Sequence, residues 1–132
     1  MMISTRGRYA LRVLLDLAEH AHDSYIPLKE ISQRQEISLK YLESIMSLLS
    51  RNGLVDALPG KGGGYQLAKK PEDYKIGEIL RLTEGSLAPV SCLECSQPAC
   101  SRAEICKTRP LWTQLDQMIS NYLDSLSLKD FL

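Results

Sequence analysis

The fold is decided by residues 37–68, which read ISLKYLESIMSLLSRNGLVDALPGKGGGYQLA. Ser38 is a preferred helix cap, and Ile37 and Leu42 flank it at the spacing of a hydrophobic staple. Apolar residues then recur at helical spacing until Gly53, a residue type that commonly follows the last helical turn. This stretch therefore predicts a helix from Ser38 to about Asn52. Its apolar stripe consists of Leu42, Ile45, Met46 and Leu49.

A glycine-rich hairpin follows that helix. Residues 54–58 and 65–68 have the composition of short strands, and residues 59–64 between them include four glycines. A shorter helix, from about Pro27 to Gln35, precedes the capped helix and is separated from it by a tight turn. Two short helices followed by a hairpin is the order of a winged helix-turn-helix domain. We therefore expect a mainly α fold with a small β-hairpin wing.

Three further helices complete the prediction. Residues 5–21 form the first, capped by Ser4 or Thr5, residues 76–85 form the fourth, and residues 108–126 form a long last helix. The long helix has two adjacent apolar rows, which is more apolar surface than one small domain covers. It therefore predicts a homodimer in which each long helix packs against its partner, and packing on its own domain alone is the alternative. The two rows are Leu111, Leu115, Met118 and Tyr122, and Trp112, Ile119, Leu123 and Leu126.

Composition and charge narrow the class of protein. The chain has 132 residues, of which 44% are hydrophobic and 24% charged, as in one globular domain. It has no apolar run near the roughly 20 residues of a membrane span, and no signal peptide, which predicts a cytoplasmic protein without a membrane partner. Residues 1–70 have ten basic and seven acidic side chains, whereas residues 71–132 have six and nine. This asymmetry favours an anionic partner, such as nucleic acid, on the N-terminal side.

The capped helix and the hairpin are suited to double-stranded DNA. The first turn of such a helix enters the major groove, where polar side chains reach base edges and phosphates. The glycines of the hairpin let its backbone approach phosphates closely, and arginines near the N-terminus add further phosphate contacts. A solvated helix face and a plain turn are the alternative interpretations. The candidate DNA-binding residues are Arg6, Arg8, Ser38, Lys40, Tyr41, Glu43, Ser44, Lys61, Gly62 and Gly63.

Four cysteines lie together in one polar stretch: Cys92, Cys95, Cys100 and Cys106. Thiolates are the soft ligands that select iron–sulfur clusters or zinc. A reducing cytoplasm argues against structural disulfides, although a redox-switch disulfide stays open. Zinc sites commonly use two close cysteine pairs, and only Cys92 and Cys95 form such a pair. The residues themselves leave the iron–sulfur and zinc interpretations both open.

Four motifs resemble the IscR/NsrR/CymR family of winged helix-turn-helix transcription regulators. They are Arg6-Gly7-Arg8-Tyr9-Ala10, Ile37-Ser38-Leu39-Lys40-Tyr41-Leu42-Glu43, Asn52-Gly53-Leu54-Val55 and Gly62-Gly63-Gly64-Tyr65, with the cysteine stretch after them. The resemblance is closest to the IscR branch and implies a homodimeric regulator that reads a pseudo-palindromic DNA operator. It also implies an iron–sulfur cluster and control of iron–sulfur cluster biogenesis genes. In IscR-like proteins the position of Glu43 discriminates between two operator classes. The wing departs from the pattern, because Pro59 stands where an arginine is usual.

The family spacing assigns the cluster to Cys92, Cys100 and Cys106. IscR-like proteins take a fourth ligand from a histidine three residues after the last cysteine, where this chain has Arg109. Cys95 is therefore the candidate for the fourth position. We favour a 2Fe–2S cluster over 4Fe–4S, with zinc as the alternative.

These expectations divide the chain into three segments. Residues 1–84 are the winged helix-turn-helix DNA-binding domain, residues 85–107 the cysteine-rich cluster-binding loop, and residues 108–132 the dimerisation helix and its tail. Two alternative functions stay open: a regulator with a zinc or thiol redox switch, and a protein-interaction module. A thiol enzyme is a poor fit, because no βαβ pattern surrounds the Cys-x-x-Cys of residues 92–95. We therefore expect no enzymatic activity.

Overall fold

The computed structural model of the protein describes residues 2–21, 23–94, 98 and 100–132. Within these residues it contains five α-helices and one antiparallel hairpin, which confirms the mainly α fold with a small wing. The elements are α1 (Thr5–His20), α2 (Leu28–Gln35), α3 (Leu39–Arg51), β1 (Val55–Leu58), β2 (Gly64–Leu67), α4 (Ile76–Glu84) and α5 (Arg109–Asp124). Short 3-10 turns are formed by Pro71–Asp73, Ser91–Leu93 and Leu128–Phe131.

Serine side chains start two of the helices. The hydroxyl of Ser4 accepts a hydrogen bond from the Gly7 amide at 3.1 Å, so Ser4 and not Thr5 caps α1. The hydroxyl of Ser38 accepts from the Tyr41 amide at 3.2 Å and caps α3 as predicted. Each cap satisfies one of the amides that the first helical turn leaves unpaired.

Helix α3 ends at a glycine. Gly53 has a φ of 71°, and its amide donates to the Ser50 carbonyl at 3.1 Å. The next amide, of Leu54, donates to the Leu49 carbonyl at 2.9 Å. This pair of bonds is a Schellman motif, which needs the left-handed conformation that glycine adopts without strain. It turns the chain directly into β1.

A tight turn joins α2 to α3. Glu36 has a φ of 54°, and Ile37 and Leu42 on either side of the Ser38 cap are both buried. This burial confirms the predicted hydrophobic staple. The staple anchors the first turn of α3 to the core, so that its remaining side chains point outward.

The wing is wider than a simple hairpin. Val55 pairs with Leu67 at the base of the hairpin. On the other side of β2, Ile26 forms an antiparallel bridge with Tyr65 through two backbone hydrogen bonds, at 2.8 and 2.9 Å. Gly64 makes this pairing possible, because a Cβ at that position would collide with the Ile26 carbonyl. The segment before α2 therefore supports the wing.

Tyr74 closes the base of the wing. Its ring is buried, and its hydroxyl donates to the Leu54 carbonyl at 2.5 Å. The same oxygen accepts from the amides of Ala68 and Lys69 at 3.0 and 3.1 Å. Burial raises the pKa of Tyr74 above its usual value, so the hydroxyl stays protonated and donating.

Helix α5 packs part of one of its two apolar rows against the core, and none of its residues is fully buried. Ile119, Leu123 and the adjoining Leu126 pack against the core, whereas Met118 and Tyr122 of the other row are 62% and 65% exposed. The helix is slightly shorter than the predicted span of residues 108–126. None of the helices in the described part of the chain is long and apolar enough to cross a membrane.

The end of the chain returns to the winged body. Leu128 is fully buried, and its amide donates to the Tyr74 carbonyl at 3.1 Å. The Ile76 amide donates to the Leu126 carbonyl at 3.0 Å. The division at residues 84 and 107 stays a prediction, but the tail of the third segment packs on the first.

Candidate nucleic-acid interface and cysteine loop

The first turn of α3 presents a polar face to solvent. The side chains predicted to read DNA are all exposed there: Ser38, Lys40, Tyr41, Glu43 and Ser44. The opposite stripe has no exposed surface and consists of Leu42, Ile45, Met46 and Leu49. Helix α3 is thus held by one face and free on the other, which is the arrangement a recognition helix needs.

Tyr41 differs from its polar neighbours because α1 supports its ring. The rings of Tyr9 and Tyr41 meet edge to face, with centroids 5.5 Å apart and planes at 78°. The guanidinium of Arg12 lies 5.0 Å from the centroid of the Tyr9 ring. Edge-to-face aromatic pairs and cation–π contacts are both attractive. Tyr41 is still 38% exposed, so part of its ring remains available to a ligand.

A buried carboxylate joins α1 to α2. Asp16 is 1% exposed, and Arg34 donates to its two oxygens at 3.0 and 2.7 Å. Gln35 adds a third hydrogen bond at 2.8 Å. Burial alone would raise the pKa of Asp16, but the hydrogen bonds from Arg34 and Gln35 and the charge of Arg34 outweigh it. The pKa is therefore lowered and the carboxylate stays ionised.

Tyr9, Arg12 and Asp16 are not among the residues predicted to bind DNA. Asp16 is buried, and Tyr9 is half-buried against the core. The available signal was their spacing of three and four positions, which places all three on one helix face.

At the tip of the wing, Lys61 and Gly62 are exposed. Gly63, predicted beside them as a DNA-contacting residue, is instead buried, and its amide donates to the Gly60 carbonyl at 3.1 Å. A Cβ at Gly63 would collide with the carbonyl oxygen of Leu58. Gly63 therefore closes the turn, and its predicted contact with DNA stays a prediction.

The two predicted arginines of α1 have different surroundings. Arg8 is exposed, and its guanidinium donates to the Thr5 hydroxyl at 3.1 Å. Arg6 is half-buried, and its Nε is enclosed without a hydrogen-bond partner among the described residues. Arg8 is therefore the more accessible of the two for a phosphate.

The cysteine stretch lies between α4 and α5. Cys92 belongs to a 3-10 turn, Cys100 precedes another turn, and Cys106 stands shortly before α5. All three are half-buried free thiols. Cys95 lies outside the described residues. Within the ranges that the structure describes, no group of three or more His, Cys, Asp or Glu side chains is close enough together to hold a metal ion.

Cys106 has surroundings that favour its thiolate. Its sulfur lies 3.3 Å from the Thr108 hydroxyl. Hydrogen bonds from the side chain and amide of Thr108, with smaller contributions from the Arg109 amide and the Arg102 charge, lower the pKa of this thiol. Metal-binding cysteines must be deprotonated, so a thiol with a lowered pKa is a suitable ligand for an iron–sulfur cluster or zinc. An open cleft of about 610 Å³ lies beside Cys106 and Arg109.

Known proteins resemble the whole chain. Residues 3–132 match the Rrf2 family, described as iron-dependent transcriptional regulators. Protein Rrf2 of Nitratidesulfovibrio vulgaris is 39% identical over all 132 residues, which cover 87% of that protein. The transcriptional regulator IscR of Erwinia tasmaniensis is 37% identical over the whole chain and 79% of its own length.

Solved structures resemble the fold as closely. CymR, the global cysteine regulator of B. subtilis, superposes with a TM-score of 0.81 at 35% identity, covering 99% of this chain and 95% of that one. IscR of T. potens has a TM-score of 0.76 at 34% identity, covering 99% and 85% of the two chains. These relatives are regulators, which confirms the expectation that the chain is not an enzyme. The protein belongs to the Rrf2 family of winged helix-turn-helix transcription regulators.

Proposed function

We propose that the protein is a cytoplasmic homodimer that binds a pseudo-palindromic DNA operator under the control of an iron–sulfur cluster on its cysteine loop. The observation that carries the DNA-binding part is the first turn of α3, which is polar and exposed on a helix whose other face is fully buried. Lys40 and Ser44 are suited to phosphates and base edges in the major groove. Lys61 at the tip of the wing adds a cation for the backbone.

Glu43 is the residue proposed to discriminate between operators. Its side chain is exposed on the same turn as Lys40 and Ser44. A carboxylate accepts a hydrogen bond from the amino group of cytosine, and it is repelled by a phosphate. Operators that place a cytosine opposite Glu43 are therefore favoured over those that do not.

The cluster ligands proposed are Cys92, Cys100 and Cys106, with Cys95 as the fourth. The donor chemistry is suitable, because thiolates select iron–sulfur clusters and the pKa of Cys106 is already lowered. When bound, the cluster would join these thiolates and so limit the conformations of residues 92–106. Nuclearity is proposed as 2Fe–2S, and the regulated genes as those of iron–sulfur cluster biogenesis.

The loop is placed to affect how two DNA-binding heads are arranged. It connects α4 to α5, and these helices are also joined by Arg81, whose guanidinium donates to both oxygens of Asp124 at 2.7 and 3.0 Å. A change in the conformation of the loop therefore bears on the position of α5 against the winged body. In the proposed dimer, the exposed row of α5 packs against the same row of the partner. The position of α5 against the winged body therefore sets the distance between the two α3 helices.

An anaerobic preparation tests this function. We expect a coloured protein with iron and sulfide, whose affinity for at least one duplex selected from a random-sequence pool changes when the cluster is removed. Binding must also weaken steeply as salt concentration rises. A colourless protein with one zinc per chain would reject the cluster, and equal affinity of the cluster-loaded and apo forms for every duplex would reject its control of binding.

A thiol redox switch is the second candidate. The lowered pKa of Cys106 favours it, because the thiolate is the form that oxidants attack. A relative, CymR of Staphylococcus aureus, has been solved in an oxidised form, at 33% identity and a TM-score of 0.74. Metal-free protein whose DNA affinity changes on treatment with peroxide and returns with a reductant would favour this candidate. A third, the protein-interaction module, would require that no duplex binds even at low salt.

A further inference from the structure

Three side chains on one face of α1 contact both helices of the helix-turn-helix. Asp16 and Arg12 bind the last residue of α2, and Tyr9 packs on the first turn of α3. We call Tyr9, Arg12 and Asp16 the α1 brace. These three side chains contact α2 and α3, the two helices that the short turn at Glu36 connects.

The brace holds the end of α2 from two sides. The amide group of Gln35 donates to Asp16 at 2.8 Å and accepts from Arg12 at 3.2 Å. The guanidinium of Arg12 also donates to the backbone carbonyl of Gln35. Because Glu36 follows at once in the left-handed conformation, fixing Gln35 also fixes the direction in which the chain enters α3.

The brace holds the start of α3 as well. The Tyr9 ring meets the Tyr41 ring edge to face, while the amide of Tyr41 is bound by the Ser38 cap. Two independent contacts therefore position the turn that exposes Lys40 and Glu43. Arg12 joins both ends of the brace, since it lies over the Tyr9 ring and also binds Gln35.

We propose that the α1 brace sets the orientation of the first turn of α3, and thereby controls operator specificity separately from general affinity for DNA. This inference rests on the proposed function. Contacts to base edges require a geometry held within about 0.5 Å, whereas phosphate contacts are independent of sequence and tolerate small displacements. A loosened brace therefore weakens binding to the operator and leaves binding to unrelated DNA unchanged.

Tyr9→Leu tests the proposal, because it removes the ring and keeps an apolar side chain. The operator probe is the tightest duplex that the wild-type protein selects from a random-sequence pool, and a scrambled duplex of the same length is the reference. We expect operator affinity to fall about three- to tenfold, the range of one aromatic pair. Affinity for the scrambled duplex and the salt dependence of binding are expected to stay at their wild-type values.

Three control variants separate positioning from stability. Tyr9→Phe keeps the ring and should bind like the wild type. Ile79→Val removes a methylene group from the buried core at α4, and should lower the melting temperature without changing the ratio of operator to scrambled affinity. Arg12→Lys keeps the charge but loses the planar fork, so it should lower the ratio in the same direction as Tyr9→Leu. Because Arg12 is exposed, this variant still tests the proposal if Tyr9→Leu does not fold.

The outcomes are distinguishable. An unchanged ratio in Tyr9→Leu and Arg12→Lys, or an equal fall of the ratio in Ile79→Val, would overturn the brace as a positioning device. A wild-type protein that selects no duplex would overturn the proposed function, and this inference with it. A fall of the ratio confined to the brace variants is the expected result.

Discussion

At the scale of single residues, Asp16 shows how a buried charge is stabilised by its partners. A carboxylate removed from water loses several kcal/mol of solvation, which an ion pair offsets only with good geometry and further hydrogen bonds. Asp16 has both, since the two bonds from Arg34 form a parallel pair and Gln35 supplies a third. Removing the charge of Asp16 takes away the main partner of Arg34, which among the described residues keeps only the exposed carboxylate of Glu30 at 3.6 Å.

Asp16→Asn should therefore destabilise the protein by about 1.5–3 kcal/mol at neutral pH, the range for hydrogen bonds to charged groups. The folded state lowers the pKa of Asp16 from 3.8, so the stabilisation is complete above that value and is lost as pH falls through the lower, folded pKa. Because asparagine does not titrate, the difference in free energy of unfolding between wild type and variant should be constant above about pH 5. It should shrink in more acidic solution. Urea unfolding at pH 7 and at pH 3 measures this difference, and a difference that is larger at pH 3 would contradict the prediction.

Cys95 is the single residue whose replacement says most about the cluster. Arg109 cannot serve as a ligand, so the proposed site depends on Cys95 for its fourth thiolate. We expect Cys95→Ser to lower the iron and sulfide content of anaerobically purified protein as strongly as Cys106→Ser does. Ser91→Ala, in the same loop, is the matched control and should keep the wild-type content. Full cluster content in Cys95→Ser would assign the fourth ligand elsewhere.

At the scale of elements, the wing combines a rigid base with an exposed tip. Tyr74 and the bridge from Ile26 hold the base, and Gly63 closes the turn beneath Lys61. A cation presented on such a turn is positioned by the backbone. It can contact a phosphate without contributing to the core, so its effects on DNA binding and on folding are separable.

Lys61→Ala should weaken binding uniformly across DNA sequences and reduce the salt slope of the affinity by about one, as expected for one lost phosphate contact. The melting temperature should not change, because Lys61 is exposed. Fluorescence anisotropy over a series of salt concentrations measures the slope. Lys129→Ala, an exposed lysine in the C-terminal turn, is the control, and an identical slope in both variants would remove Lys61 from the interface.

At the scale of the whole molecule, α5 is an amphipathic helix with apolar residues on two sides. Its inner row packs against the core and α4, and Arg81 and Asp124 tie it further to α4. The two side chains of that ion pair are 38% and 40% exposed, so it contributes at most about 1 kcal/mol. The outer row, from Leu111 to Tyr122, has no covering element among the described residues. Burial of this row in a two-fold interface is the basis of the proposed dimer.

Met118→Glu should dissociate the dimer, since it places a charge at the centre of the exposed row. Sedimentation should show a monomer at concentrations where the wild type is dimeric, and operator affinity should fall because only one half-site is bound at a time. Gln117→Glu changes the charge at an exposed position off the row and should leave both properties unchanged. A wild-type protein that sediments as a monomer at all concentrations would reject the dimer itself.

The sequence by itself determined the helices, the caps and the wing, because these depend on interactions within a few residues. Ser38, Gly53, Gly60, Gly62 and Gly63 act on the backbone of their own turns, and periodicity identifies the stripe that α3 buries. The exposed polar turn of α3 followed from the same pattern. The cysteine spacing predicts thiolate chemistry, and this stays a prediction.

Only the tertiary structure decided which faces meet. An amphipathic pattern shows that a surface is buried but does not identify what covers it, so it could not choose between the two rows of α5 or place Leu128 in the core. The pattern also does not show that Asp16 is buried, since an isolated carboxylate belongs in water. It is buried because Arg34 and Gln35 reach it from another helix. Such contacts join residues far apart in the chain, and their energy exists only once the helices have packed.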